Sequence, residues 1–97
     1  MKRKEVLDRL KGQSQELKEH YGIVALFLFG SMARNDTHPG SDIDLLVEFK
    51  QPIGLLQFIE LQQRLEDLLG CKVDLGTKRS LKGQLRDEVL REAILVF

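Results

Sequence analysis

The sequence is poor in cysteine. Cys71 is the one thiol in 97 residues. No disulfide can close within the chain, and a reducing cytoplasm is the expected compartment. It also lacks an excess of charge of either sign. Fifteen Lys and Arg face fifteen Asp and Glu, for a formal net charge of zero. That argues against a protein that coats nucleic acid by bulk charge, and against a polybasic membrane anchor. No apolar run approaches the roughly 20 residues of a membrane helix. The opening MKRKEVLDRL turns polar too soon to read as a signal peptide. Basic residues and aromatics do not interleave in a stripe, so nucleic acid is not the expected partner. No internal repeat or low-complexity tract is visible.

What remains is a globular composition, 42% hydrophobic and 31% charged. One domain over residues 1–97 is expected, because domains run about 50–250 residues. A separate substrate domain has no room, so another molecule must supply much of any substrate grip.

Residues 3–20 carry Val6, Leu7, Leu10, Leu17 and Tyr21 at helical spacing, ended by Gly22. Residues 23–29, IVALFLF, read as a strand buried on both faces. A helical turn is expected from Ser31 through Met32, Ala33 and Arg34. Residues 35–41, NDTHPGS, are turn chemistry. Residues 42–49 form a second strand, with Asp42, Asp44 and Leu46 on one face and Ile43, Leu45 and Val47 on the other. A helix over 53–69 presents Leu55, Phe58, Ile59, Leu65, Leu68 and Leu69 as its apolar side and is capped by Gly70. Residues 71–75 form a short third strand, with Cys71, Val73 and Leu75 facing one way and Lys72 and Asp74 the other. A last helix spans 80–95 with Ser80 as N-cap and Leu81, Leu85, Val89 and Ala93 inward. The fold class is α+β, an α/β sandwich: a small mixed β-sheet with helices packed on one side.

The chemistry concentrates in residues 29–49, where Arg34 stands alone against Asp36, Asp42, Asp44 and Glu48. Period two puts Asp42 and Asp44 on one face of their strand. Two carboxylates side by side repel, and a hard divalent cation with oxygen ligands is the simplest partner for them. Gly30-Ser31 follows directly on a strand. Glycine permits close backbone approach, and N–H groups at a helix start together with a hydroxyl suit an anion. Arg34 lies one turn on, within reach of a phosphate. Asp74 is a lone acid in a short apolar strand. If that strand pairs beside residues 42–49, Asp74 joins the other two, and three carboxylates can hold two metals.

The segment FGSMARNDTHPGSDIDLLVEF resembles the nucleotidyltransferase signature of the DNA polymerase β superfamily. That signature has Gly-Ser after a strand, a spacer (here residues 32–41), then Asp-hydrophobic-Asp, with a third acid on a following strand where Asp74 stands. The FGSxAR and SDIDLLV forms look most like the minimal nucleotidyltransferases, the antitoxins of pairs with HEPN toxins. The resemblance implies a polymerase-β-like nucleotidyltransferase fold. It implies that Gly30 and Ser31 hold the β- and γ-phosphates of ATP, with Arg34 as a triphosphate contact. It implies that Asp42, Asp44 and Asp74 ligate two magnesium ions and that Asp74 helps deprotonate the acceptor. The implied reaction is magnesium-dependent transfer of AMP from ATP to a hydroxyl, a tyrosine of a partner HEPN toxin. The alternative is a non-catalytic, nucleotide-binding antitoxin or regulatory subunit that neutralises its partner by forming a complex.

Other residues read more plainly. His38 belongs to a surface loop, and His20 complements a helix dipole. Cys71, Phe27, Phe29 and Phe58 belong to the core. Lys78-Arg79 is either a solvated turn or a contact to substrate or partner. The apolar end AILVF either packs on the domain or belongs to an interface, homo- or hetero-oligomeric.

Overall fold

The computed structural model describes residues 1–34, 42–81 and 83–97. In chain order the elements are α1 (Arg3–Gly12), α2 (Ser14–Tyr21), β1 (Ile23–Phe29), α3 (Gly30–Ala33), β2 (Ile43–Phe49), α4 (Leu55–Leu69), β3 (Val73–Thr77), a 3₁₀ turn at Lys78–Ser80, α5 (Gly83–Glu92) and β4 (Ile94–Leu95). The four strands make one mixed sheet in the order β3-β2-β1-β4. β2 runs antiparallel to β1 and parallel to β3, and β4 runs antiparallel to β1. The expected turn over 35–41, with His38, lies outside the described residues, as does the side chain of Leu85. Among the described residues no helix is long and apolar enough to cross a membrane.

The core forms on one face of this sheet. Leu26 and Leu28 of β1 stand opposite Val47 and Leu45 of β2. Ile43 and Leu45 stand beside Val73 and Leu75 of β3. Val6 and Leu10 of α1, Leu17 of α2, and Leu61, Leu65 and Leu69 of α4 close over them, all six fully buried. Each such side chain contributes about 1.5–3 kcal/mol by leaving water.

Five expectations need correction. The helix over 3–20 is two helices. At Gln13 (φ −112°, ψ 12°) the chain tightens by one turn: the Gln13 N–H donates to Leu10 O at 3.1 Å and its carbonyl accepts from Leu17 at 3.0 Å. Leu10 and Leu17, one on each helix, are both fully buried in the core. Next, β1 is not buried on both faces. Ile23, Leu26 and Leu28 are buried, whereas Val24 is exposed and Phe27 and Phe29 are half-buried on the opposite face. There the Lys78 ammonium lies 5.6 Å from the Phe27 ring centroid. A long cationic stem can cover an apolar ring while its head stays wet.

The apolar side of α4 runs Leu61, Leu65, Leu69, with Phe58 and Leu68 packed at its margin. Leu55 and Ile59 point outward, Leu55 73% exposed. The third strand is Val73–Thr77 rather than 71–75. Cys71 lies half-buried against the core, as expected. Finally, the last helix is shorter than expected and Ser80 does not cap it. The Ser80 N–H and Oγ donate to Thr77 Oγ1 (3.1 Å) and Thr77 O (2.7 Å), so Thr77 caps the 3₁₀ turn. The chain end is β4, with Ile94 opposite Leu28 and Leu95 opposite Phe27. Val96 N–H donates to Leu26 O at 2.8 Å, and Leu26 N–H to Phe97 O at 3.0 Å. Val96 is buried, so the apolar end packs inward and leaves only Leu95 strongly exposed.

Candidate functional site

The site lies on the sheet face away from the core, where β1 ends and β2 begins. Register sets its geometry. Phe29 of β1 stands opposite Asp44 of β2, and Asp44 stands beside Asp74 of β3. Neighbouring strands lie about 4.8 Å apart, so the two carboxylates share one row. Asp44 is half-buried; Asp42 and Asp74 are exposed. The Asp44 carboxyl titrates above its ordinary value of 3.8, first because it is partly buried, then because Asp74 and Asp42 are negative; Arg34 opposes this. The site is an electrostatic deficit waiting for positive charge.

Gly30 is fitted to that acid. Its φ is +72°, in the left-handed region. A Cβ on Gly30 would stand 3.1 Å from Asp44 Cγ and closer still to a carboxylate oxygen. The sequence spacing suggested that Gly30 and Asp44 belong together; the structure shows them in direct apposition. Ser31 follows in α3, half-buried, while Met32 and Ala33 are buried and anchor this turn. The Arg3 guanidinium donates to Ala33 O at 2.9 Å and ties the turn to α1.

Arg34 ends this turn, its N–H donating to Gly30 O at 3.2 Å. Its guanidinium Nη1 donates to Glu92 Oε2 of α5 at 3.1 Å. Sequence reasoning missed Glu92, which lies 58 residues away in a helix with no motif around it. Lys78 sits 3.8 Å from Glu48. His20 packs edge-on against Tyr21, its Nε2 3.5 Å from Glu60.

Among the described residues no group of three His, Cys, Asp or Glu is gathered closely enough to cage a metal. The structure pairs Asp44 with Asp74 and leaves Asp42 exposed just before β2. The donor set still fits magnesium. This ion is usually held by one or two carboxylates, with waters and substrate phosphates completing its shell. The uncompensated charge at Asp44 is what such a cation would relieve.

Residues 10–96 match the family described as the nucleotidyltransferase domain. The protein adenylyltransferase MntA of Thermococcus cleftensis is 42% identical over 92 residues, 95% of this chain and 93% of its own length. The solved structure of a provisionally assigned minimal nucleotidyltransferase superposes with a TM-score of 0.81 at 39% identity, covering 97% of this chain and 95% of that one. A chain of a toxin–antitoxin complex with AMP-PNP superposes with a TM-score of 0.73 at 26% identity, covering 90% and 72%. With the paired aspartates and the glycine set against them, these likenesses converge: the chain belongs to the nucleotidyltransferase domain family.

Proposed function

We propose that this nucleotidyltransferase moves AMP from ATP to a hydroxyl of a partner protein, a tyrosine of a HEPN toxin, and so acts as the antitoxin of that pair in the cytoplasm. The observation that carries the reading is the Asp44–Asp74 pair set against Gly30. The likeness to a protein adenylyltransferase supports a protein acceptor, and the likeness to a toxin–antitoxin complex with AMP-PNP supports a toxin as that protein.

Gly30 and Ser31 take the β- and γ-phosphates: the bare Cα of Gly30 leaves the Asp44 carboxyl in place against the turn, and Ser31 adds a hydroxyl donor. Arg34 contacts the triphosphate. Asp42, Asp44 and Asp74 hold magnesium, two ions in the full site, which when bound neutralises charge developing on the α-phosphate and the leaving pyrophosphate. The acceptor oxygen bonds to the α-phosphorus as the bond from that phosphorus to the α–β bridging oxygen breaks. Pyrophosphate leaves, and the hydroxyl proton passes to Asp74, the more exposed acid of the pair.

The test uses ATP labelled at the α-phosphate, magnesium, the purified protein and its candidate toxin, with Asp44→Asn as control. Label should appear on the toxin with wild type and be absent with the variant. A folded protein that binds magnesium–ATP, neutralises the toxin and transfers no label would overturn catalysis in favour of neutralisation by complex formation.

A further inference from the structure

Resting on the nucleotidyltransferase reading, we propose that Glu92 is a positioning residue for the nucleotide: from the end of α5 it holds Arg34 toward the triphosphate and off the aspartates. The local charge makes such a restraint necessary. Arg34 is fixed by its backbone to Gly30, and Gly30 stands directly against Asp44. Carboxylates attract a guanidinium, and one left free to fold onto Asp42, Asp44 and Asp74 would occupy the place a metal needs. Glu92 Oε2 takes one donor, Nη1, at 3.1 Å. A guanidinium has five N–H donors in a planar fork, and the Glu92 bond uses one of them.

The fold delivers Glu92 to this spot. Ile94 of β4 stands opposite Leu28 of β1. Two residues onward from Leu28 is Gly30; two residues back from Ile94 is Glu92. The antiparallel pairing that anchors the chain end therefore brings the carboxylate alongside the phosphate cradle. Both side chains of the pair are about half exposed, at 51% and 54%. Surface ion pairs of this kind contribute little to stability, so a stabilising role does not account for it.

The experiment measures magnesium–ATP binding by calorimetry, which needs no acceptor, and then steady-state transfer. Glu92→Gln should melt within about 2 °C of wild type, since an exposed pair carries little stability. It should weaken magnesium–ATP binding about 2–5-fold and raise the magnesium requirement, as loss of one exposed charge pairing permits. It should raise KM with kcat changed less than about twofold, the mark of lost ground-state binding. Glu92→Asp should recover part of the loss. Arg34→Ala combined with Glu92→Gln should bind no worse than Arg34→Ala alone, because one effect acts through the other. Unchanged or tighter binding by Glu92→Gln, or additive losses in the double variant, would overturn the proposal. Absence of magnesium–ATP binding by wild type would overturn the functional reading itself, and the two failures are thus told apart.

Discussion

Gly30→Ala should damage function far more than stability, and two other glycines make the comparison clean. Gly22 and Gly70 have φ values of +68° and +70°, close to the +72° of Gly30, and a Cβ on either meets nothing within 4 Å. Forcing alanine into the left-handed region costs about 1–2 kcal/mol at any of the three. For a domain of this size each kcal/mol lowers Tm by about 4–8 °C. Only at Gly30 does the new methyl also press on the Asp44 carboxyl. To reach ordinary contact the carboxyl must swing aside by about an ångström, and a displacement of that size at reacting groups can cost about 100-fold in rate. The three alanine variants should therefore melt within a few degrees of one another. AMP transfer, assayed at a temperature where all three are folded, should fall about 100-fold in Gly30→Ala and stay near wild type in Gly22→Ala and Gly70→Ala. If folded Gly30→Ala transfers AMP as fast as Gly70→Ala, the apposition of Gly30 and Asp44 has no catalytic meaning.

Asp44→Asn should abolish transfer yet raise Tm in metal-free buffer, because it removes a half-buried charge that faces Asp74 and Asp42; a lower Tm by scanning fluorimetry would contradict this. The same group sets a pH dependence. Its folded pKa is raised above 3.8, so its contribution to stability is fully present below about pH 4 and is lost as pH climbs through the raised value. The Tm advantage of Asp44→Asn over wild type should accordingly widen between about pH 4 and pH 7, and a constant gap would refute the assignment. Leu65→Ala, at a fully buried position between α4 and the sheet, should cost about 2–5 kcal/mol in urea unfolding. Titrated alone, magnesium should bind weakly, and much more tightly beside a non-hydrolysable ATP analogue, since two close carboxylates leave most of its shell to phosphate and water; tight binding without nucleotide would point to a protein-only cage.

Part of the candidate site's layout was legible in the sequence. Asp42, Asp44, Gly30 and Ser31 sit within one short segment, where spacing alone relates them. Asp74 could be paired with Asp44 only by supposing that two strands are neighbours, and the parallel register bears that pairing out. Glu92 had no such signal, because its partner is set by the β1–β4 pairing across the whole chain. That pairing was itself illegible: Val89 and Ala93 continue a helical spacing into AILVF, and only contact with Leu26 and Leu28 turns the last residues into a strand. Likewise IVALFLF looks buried on both faces by composition. Its Phe27 and Phe29 belong instead to the opposite face, where the ammonium of Lys78, a residue no local pattern connects to them, lies over the Phe27 ring. On α4, Leu55 and Ile59 share the period of the true apolar stripe but lie off the sheet.

One feature of β2 explains why so small a core can hold a charged site. Ile43, Leu45 and Val47 are buried and alternate with Asp42 and Asp44 on the other face. A slip of one residue would drive Asp44 into the apolar layer and turn Ile43, Leu45 and Val47 away from it. The repulsion among the acids is thus opposed by side chains interleaved with them, each contributing about 1.5–3 kcal/mol. The register that makes the sheet stable is the same register that sets Asp44 beside Asp74 and beneath Gly30. A variant that keeps the native pairing of β2 keeps Asp44 beside Asp74 in one row.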